Sequence, residues 1–213
     1  MRSVSSSSED AGFARVRVGG MTRGAFILRG ALATAALSGA GAVAPFVSGA
    51  LAQSDASDAQ ILDFALRLEA LEAGFYDAAL REVPDLSGDV RRLVGKLGRH
   101  EHEHRRVIAS TILQFGIKNS PPPELDFGDA FSSEARMLEV AQLLEDTGVA
   151  AYNGAVPMLF SRAVIRVAGS IVNIEARHAA VIRQVRGEPI AAGAFEVAQK
   201  PEQVAQKISP YVK

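Results

Sequence analysis

The chain has 213 residues, 48% of them hydrophobic and 22% charged, with a formal net charge of −1 and no cysteine. That size and balance suit one globular domain with appendages, and the near-neutral charge leaves no basic footprint for nucleic acid. Without cysteine there is no disulfide, no lipid-anchored thiol and no Cys-x-x-Cys redox or iron site, while the absence of Trp and the low aromatic content favour helices over strands.

Residues 1–52 read as an N-terminal extension and signal peptide rather than as part of a fold. Arg23 and Arg29 bracket the start of an apolar, Ala/Gly-rich run that ends in Ala50-Leu51-Ala52, a small-residue cleavage pattern. The run is short for a membrane span and Pro45 interrupts it, so cleavage after Ala52 is expected, with no stable membrane insertion afterwards. Thr22-Arg23-Gly24 is similar to a twin-arginine motif, but Gly24 stands where the second arginine belongs, so the general secretory route stays open. The polar stretch ahead of Met21 is unlike a signal start, and Met21 is an alternative first residue.

From Ser57-Asp58 the pattern turns helical. Helix one is expected to run to about Glu82, stopped by Pro84, with a stripe of Leu62, Ala65, Leu66, Glu69, Ala73, Tyr76 and Leu80. Helix two should open near Ser87 and close at Phe115-Gly116, with Leu93, Leu97, Ile108 and Leu113 as apolar neighbours. Residues 117–131 contain Pro121-Pro122-Pro123 and predict a long crossover. Helix three should begin at Ser132 or Ser133 and reach about Val156 before Pro157; helix four should run from near Ser161 to Arg186, ending at Gly187. Pro201 reads as the first residue of a short helix to Ser209, within a tail, 188–213, expected to cap the bundle. The domain proper is therefore 53–187.

One pattern is written twice along these helices. Glu69 is followed by Glu101-x-x-His104, then Glu145 by Glu175-x-x-His178, and each lone Glu has a tyrosine seven residues on, Tyr76 and Tyr152. Leu68-Glu69 matches Leu144-Glu145, and residues 104–108 match 178–182. In a four-helix bundle, two helices that each give one Glu and two that each give Glu-x-x-His build a dimetal carboxylate site. One helical turn brings a hard carboxylate oxygen and an imidazole nitrogen to one face, and four carboxylates balance two divalent ions. Two iron ions, with manganese as the alternative, suit this oxygen-rich, thiolate-free set better than zinc. Glu72 shares nearly the same face as Glu69 and either replaces or supplements it, although the spacing to Tyr76 favours Glu69. His100 lies one turn before His104 and reads as surface or core filler, with an outer role at the site as the alternative; His102, Glu103, Arg105, Arg106, Arg177 and Arg183 read as solvated.

The strings LEALEAGFY (68–76), HEHEH (100–104), LLEDTGVAAY (143–152) and IEARH (174–178) resemble the ferritin-like superfamily, and within it the exported and desiccation-associated group. The resemblance covers roughly residues 58–187, with a weaker tail match. It implies an all-α, ferritin-like four-helix bundle with a long crossover between helices two and three and a short C-terminal helix. It further implies that Glu101 and Glu175 bridge, that Glu69 with His104 and Glu145 with His178 each complete one metal, and that Tyr76 and Tyr152 hydrogen-bond a ligand carboxylate across the bundle. Read from the residues alone, each tyrosine is equally a core phenol with any partner.

The expectation for function is an exported dimetal protein, in the periplasm, cell wall or medium, that oxidises or sequesters iron or removes peroxide in stress protection. Dioxygen or peroxide would be its small-molecule substrate, and a homodimer is an open assembly. Without cysteine a rubrerythrin-like built-in electron donor is excluded. The competing expectation is a structural stress bundle whose site holds metal for stability or none, without turnover.

Overall fold

The computed structural model describes residues 58–191 and 193–213; the expected leader and its cleavage point lie outside them. The described residues form α1 (Asp58–Glu82), α2 (Gly88–Gln114), α3 (Glu134–Ala155), a 3-10 turn (Val156–Met158), α4 (Arg162–Val185), α5 (Pro201–Ile208) and a last 3-10 turn (Ser209–Tyr211). Among them the only extended pairing is an isolated bridge between Leu125 and Val212. None of these helices is long and apolar enough to cross a membrane. α1 packs along α2 and α3 along α4, and the two hairpins meet through α1 against α3 and α2 against α4. The all-α bundle with a long crossover is thus the architecture that forms.

Local chemistry sets the helix ends. Pro84 disfavours helical backbone at Val83, and Asp85 then takes a positive φ of 51° to turn the chain toward α2. Ser133 caps α3 by accepting from the Arg136 N–H at 3.1 Å, and Ser161 caps α4 by accepting from the Val164 N–H at 3.4 Å. The Ser87 N–H donates to Glu134 at 2.6 Å, tying the start of α2 to the start of α3. The Asp58 carboxylate accepts from the N–H groups of Phe160 and Ser161 at 2.9 and 2.7 Å. Its carboxylate thereby fixes the α3–α4 connection to the first turn of α1.

The crossover is held to α1 by both polar and aromatic contacts. Ser120 donates to Asp63 from its N–H at 3.1 Å and from its hydroxyl at 2.8 Å. Phe75, fully buried on α1, packs against Phe127 and Phe131 with ring centroids 5.4 and 5.2 Å apart. The C-terminal tail pairs with the crossover, the Asp126 N–H donating to the Tyr211 carbonyl and the Lys213 N–H to the Glu124 carbonyl. Farther back, the Gln199 N–H donates to the Ala150 carbonyl, so the tail runs along α3.

Two apolar clusters fill the interior. One gathers Leu71, Phe75, Val94, Met137 and Ile182 with the tail residues Val204 and Ile208; the other gathers Leu62, Leu66, Ile108, Ile112, Val164 and Ile171. Between them lies a layer of glutamates, all fully or almost fully buried. The predicted stripe holds on α1 but fails at the end of α2, where Leu113 is 57% exposed. Ile112 takes the inward place, and one residue on a helix turns the side chain about 100° away from it.

Candidate metal centre

The buried layer is built from one position on each helix, or two one turn apart. Glu69 on α1, Glu101 on α2, Glu145 on α3 and Glu175 on α4 have no exposed surface, His178 has almost none, and the His104 side chain is 12% exposed. Carboxylates and imidazoles without partners at such depth cost several kcal/mol each, and the apolar residues on either side of the layer offer nothing to satisfy them.

The groups converge in two overlapping sets: Glu69, Glu101, His104 and Glu175, and Glu101, Glu145, Glu175 and His178, each offering one ligand atom within 4.8 Å of the others. Glu101 and Glu175 belong to both, which is the geometry a bridging pair needs. His104 Nδ1 lies 3.1 Å from Glu69, 3.0 Å from Glu101 and 2.9 Å from Glu175. His178 Nδ1 lies 2.9 Å from Glu101 and 3.3 Å from Glu145.

The residues fit a metal pair on a direct test. Glu101 Oε1, Glu145 Oε2, both Glu175 oxygens and His178 Nδ1 are buried without a hydrogen-bond partner. They approach one another without hydrogen-bond geometry because they face a common interior. Oxygen-rich donors with two imidazoles accept a divalent ion, and no thiolate competes.

Tyr76 and Tyr152 cross between the halves. The Tyr76 hydroxyl donates to Glu145 Oε1 at 2.5 Å, and the Tyr152 hydroxyl donates to Glu69 Oε1. Each lone glutamate therefore has one oxygen held by a phenol from the opposite hairpin and its other oxygen, Oε2, turned to the centre. Burial first, then the facing glutamate, pushes both phenols well above their usual range, so each keeps the proton it donates.

Electrostatics sorts the carboxyls. Burial raises Glu69 to about 7 even though the His104 hydrogen bond pulls the other way. Burial would also raise Glu101, but His104 and His178 outweigh it and hold this carboxylate at about 2. Burial alone would lower His104; its carboxylate partners Glu101, Glu175 and Glu69 instead push it up to about 12, and Glu101 and Glu145 likewise push His178 up to about 9. Without metal, the two imidazoliums neutralise part of the acidic layer.

Glu72 belongs to neither set, although it is 2% exposed and sits in the same layer. Burial, then the charge of Glu175, raises it well above the usual carboxylate range. Its Oε1 lies 3.0 Å from where a Cβ on Gly148 would stand, with Glu175 Oε2 at 3.5 Å from the same point. Gly148 occupies the place in the second half that Glu72 occupies in the first, so the missing side chain on α3 makes the room for the extra carboxyl on α1. The break in the repeat at this pair was the available sequence signal.

Other residues depart from their expected places. His100 reaches across to α4, its Nδ1 2.9 Å from His178 Nε2 with the rings stacked, which is the alternative outer role at the site and not the preferred surface or core filling. Arg183 is buried and pairs with Asp146 at 2.5 Å, joining α4 to α3, where a solvated charge was expected. His102 is exposed beside Asp77, as a solvated residue should be.

The model of the ferritin-like domain family matches residues 57–188, well over half of the chain and the whole of the described four-helix bundle. No curated protein matches the chain. With the bundle, its crossover and the buried Glu/His layer, this match places the chain in the ferritin-like domain family.

Proposed function

We propose that this is an exported ferritin-like protein that binds two iron ions, or manganese, in the Glu/His layer and acts on dioxygen or peroxide in protection against oxidative or drying stress. The observation that carries the reading is the pair of overlapping ligand sets sharing Glu101 and Glu175. A redox-active metal pair, when bound, exchanges electrons with dioxygen or peroxide two at a time.

The chain's own residues supply the rest. Glu101 and Glu175 would serve both ions, with Glu69 and His104 completing one position and Glu145 and His178 the other. Tyr76 and Tyr152 fix the outer oxygens of Glu145 and Glu69 and so aim the inner ones. Apolar clusters on both sides keep bulk water from the layer. His104 lines a surface cleft of about 450 Å³ with Val107, Val167, Ile171 and Ile174, the side from which a small molecule or an incoming ion would approach the centre. Consumption of peroxide or dioxygen by the metal-loaded chain, with ferrous iron as the electron source, tests this; a loaded chain that consumes neither contradicts it.

A second reading is favoured by one observation. His104 and His178 already form close contacts with the carboxylates, so the layer is neutralised in part without metal. A structural stress bundle that holds metal for stability, or none, would need no more than this. Unchanged stability on metal removal and no turnover would support it.

A further inference from the structure

The two halves of the site match position for position, Glu69 with Glu145, Tyr76 with Tyr152, Glu101 with Glu175 and His104 with His178. In the same register His100 stands against Ile174, so the surroundings of the two histidines differ. His178 turns Nδ1 toward Glu101 and Glu145. A neutral imidazole that ligates through Nδ1 carries its proton on Nε2. That Nε2 lies 2.9 Å from His100 Nδ1, with the ring planes 20° apart, so His178 donates and His100 accepts.

His104 has no such support. Its Nδ1 faces three carboxylates, but its Nε2 has no protein hydrogen-bond partner among the described residues, and Ile174 lines the cleft beside it. One histidine is thus locked in ring orientation and tautomer from behind, and the other borders an open cleft.

Resting on the dimetal reading above, we propose that His100 is a positioning residue that fixes His178 in its Nδ1-ligating form. The Glu145–His178 position is thereby the retained one, and the Glu69–His104 position, at the cleft, is the exchangeable one. A hydrogen-bonded imidazole keeps its ligating tautomer and gains basicity, and loss of such a partner lowers metal affinity roughly 10- to 100-fold.

The test is a calorimetric titration of the metal-free full chain with Co²⁺ under anaerobic conditions. The wild type is expected to bind in two steps, at least about tenfold apart by the same reasoning. His100→Phe keeps the stacked ring but removes the acceptor, and should weaken the tighter step about 10- to 100-fold while leaving the weaker one in place. His100→Asn, whose Oδ1 stands where Nδ1 stood, should restore the tighter step to within a few fold. His178→Ala should delete the tighter step and His104→Ala the weaker one. Equal binding by the His100→Phe variant and wild type overturns the proposal, as does equal loss in the Phe and Asn variants or loss confined to the weaker step. Should the Phe variant fail to fold, His100→Leu serves in its place. A wild type that binds no Co²⁺ contradicts the dimetal reading itself, which separates that failure from a failure of His100.

Discussion

The phenol of Tyr76 on α1 donates to Glu145 Oε1 on α3 at 2.5 Å, so a residue of the first hairpin holds a candidate ligand of the second. Tyr152 returns the arrangement by donating to Glu69. These reciprocal bonds leave one oxygen of each lone glutamate free for the centre.

Tyr76→Phe should therefore leave a buried carboxylate oxygen without its donor, at a cost of about 1–3 kcal/mol to the metal-free fold. Tyr152→Phe should behave alike. Denaturant melts of both variants check this; the metal content should remain that of the wild type, because Oε2 of each glutamate still faces the centre.

Glu72→Gln should keep both the fold and the metal content, since the amide has nearly the carboxyl's shape without its charge and Glu72 lies outside both ligand sets. Gly148→Ala should be harmful instead: the new methyl would stand 3.0 Å from Glu72 Oε1. Overpacking of that kind costs typically about 1–3 kcal/mol. A loss of one metal in Glu72→Gln would make Glu72 a ligand and contradict the assignment of Glu69 alone on α1.

Stability of the metal-free chain should fall as pH rises from about 5 to about 9. Glu69 is raised by burial from 4.5 to about 7, so its contribution is complete below 4.5 and lost as pH passes through about 7. In His178, burial is outweighed by Glu101 and Glu145 and the group moves from 6.5 to about 9; its contribution is complete below 6.5 and lost through about 9. Glu101 is shifted the opposite way, toward about 2, so its contribution disappears only in strong acid. Metal binding displaces the protons on these groups, so affinity should rise over the same interval. Between about pH 5 and 6.5 the metal-loaded sample should gain stability while the chelator-treated one loses it, and above that the loaded sample should level off while the chelator-treated one continues to fall.

Much of the fold was legible because its punctuation is local. Pro84 and Ser133 act on the residues beside them, and the helices begin and end there. The Glu/His layer was legible because a helix places residues one turn apart on one face, so Glu101 with His104 and Glu175 with His178 were readable as pairs. The His100 contact was not, because it depends on how α2 and α4 sit side by side, and its own helix relates it only to His104. Arg183 was misread for the same reason: its partner Asp146 lies on α3. Leu113 was misplaced because Ile112, one residue away, is equally apolar and takes the inward position.

Elemental analysis of the chain purified without added metal, alongside Glu175→Ala and His102→Ala, tests the central claim most directly. About two iron or manganese ions per chain are predicted for the wild type and for the His102→Ala variant. Glu175→Ala should lose one and weaken the other, because Glu175 is shared by both ligand sets. Equal metal content in all three, or a folded wild type that holds none and refuses added iron, would contradict the account.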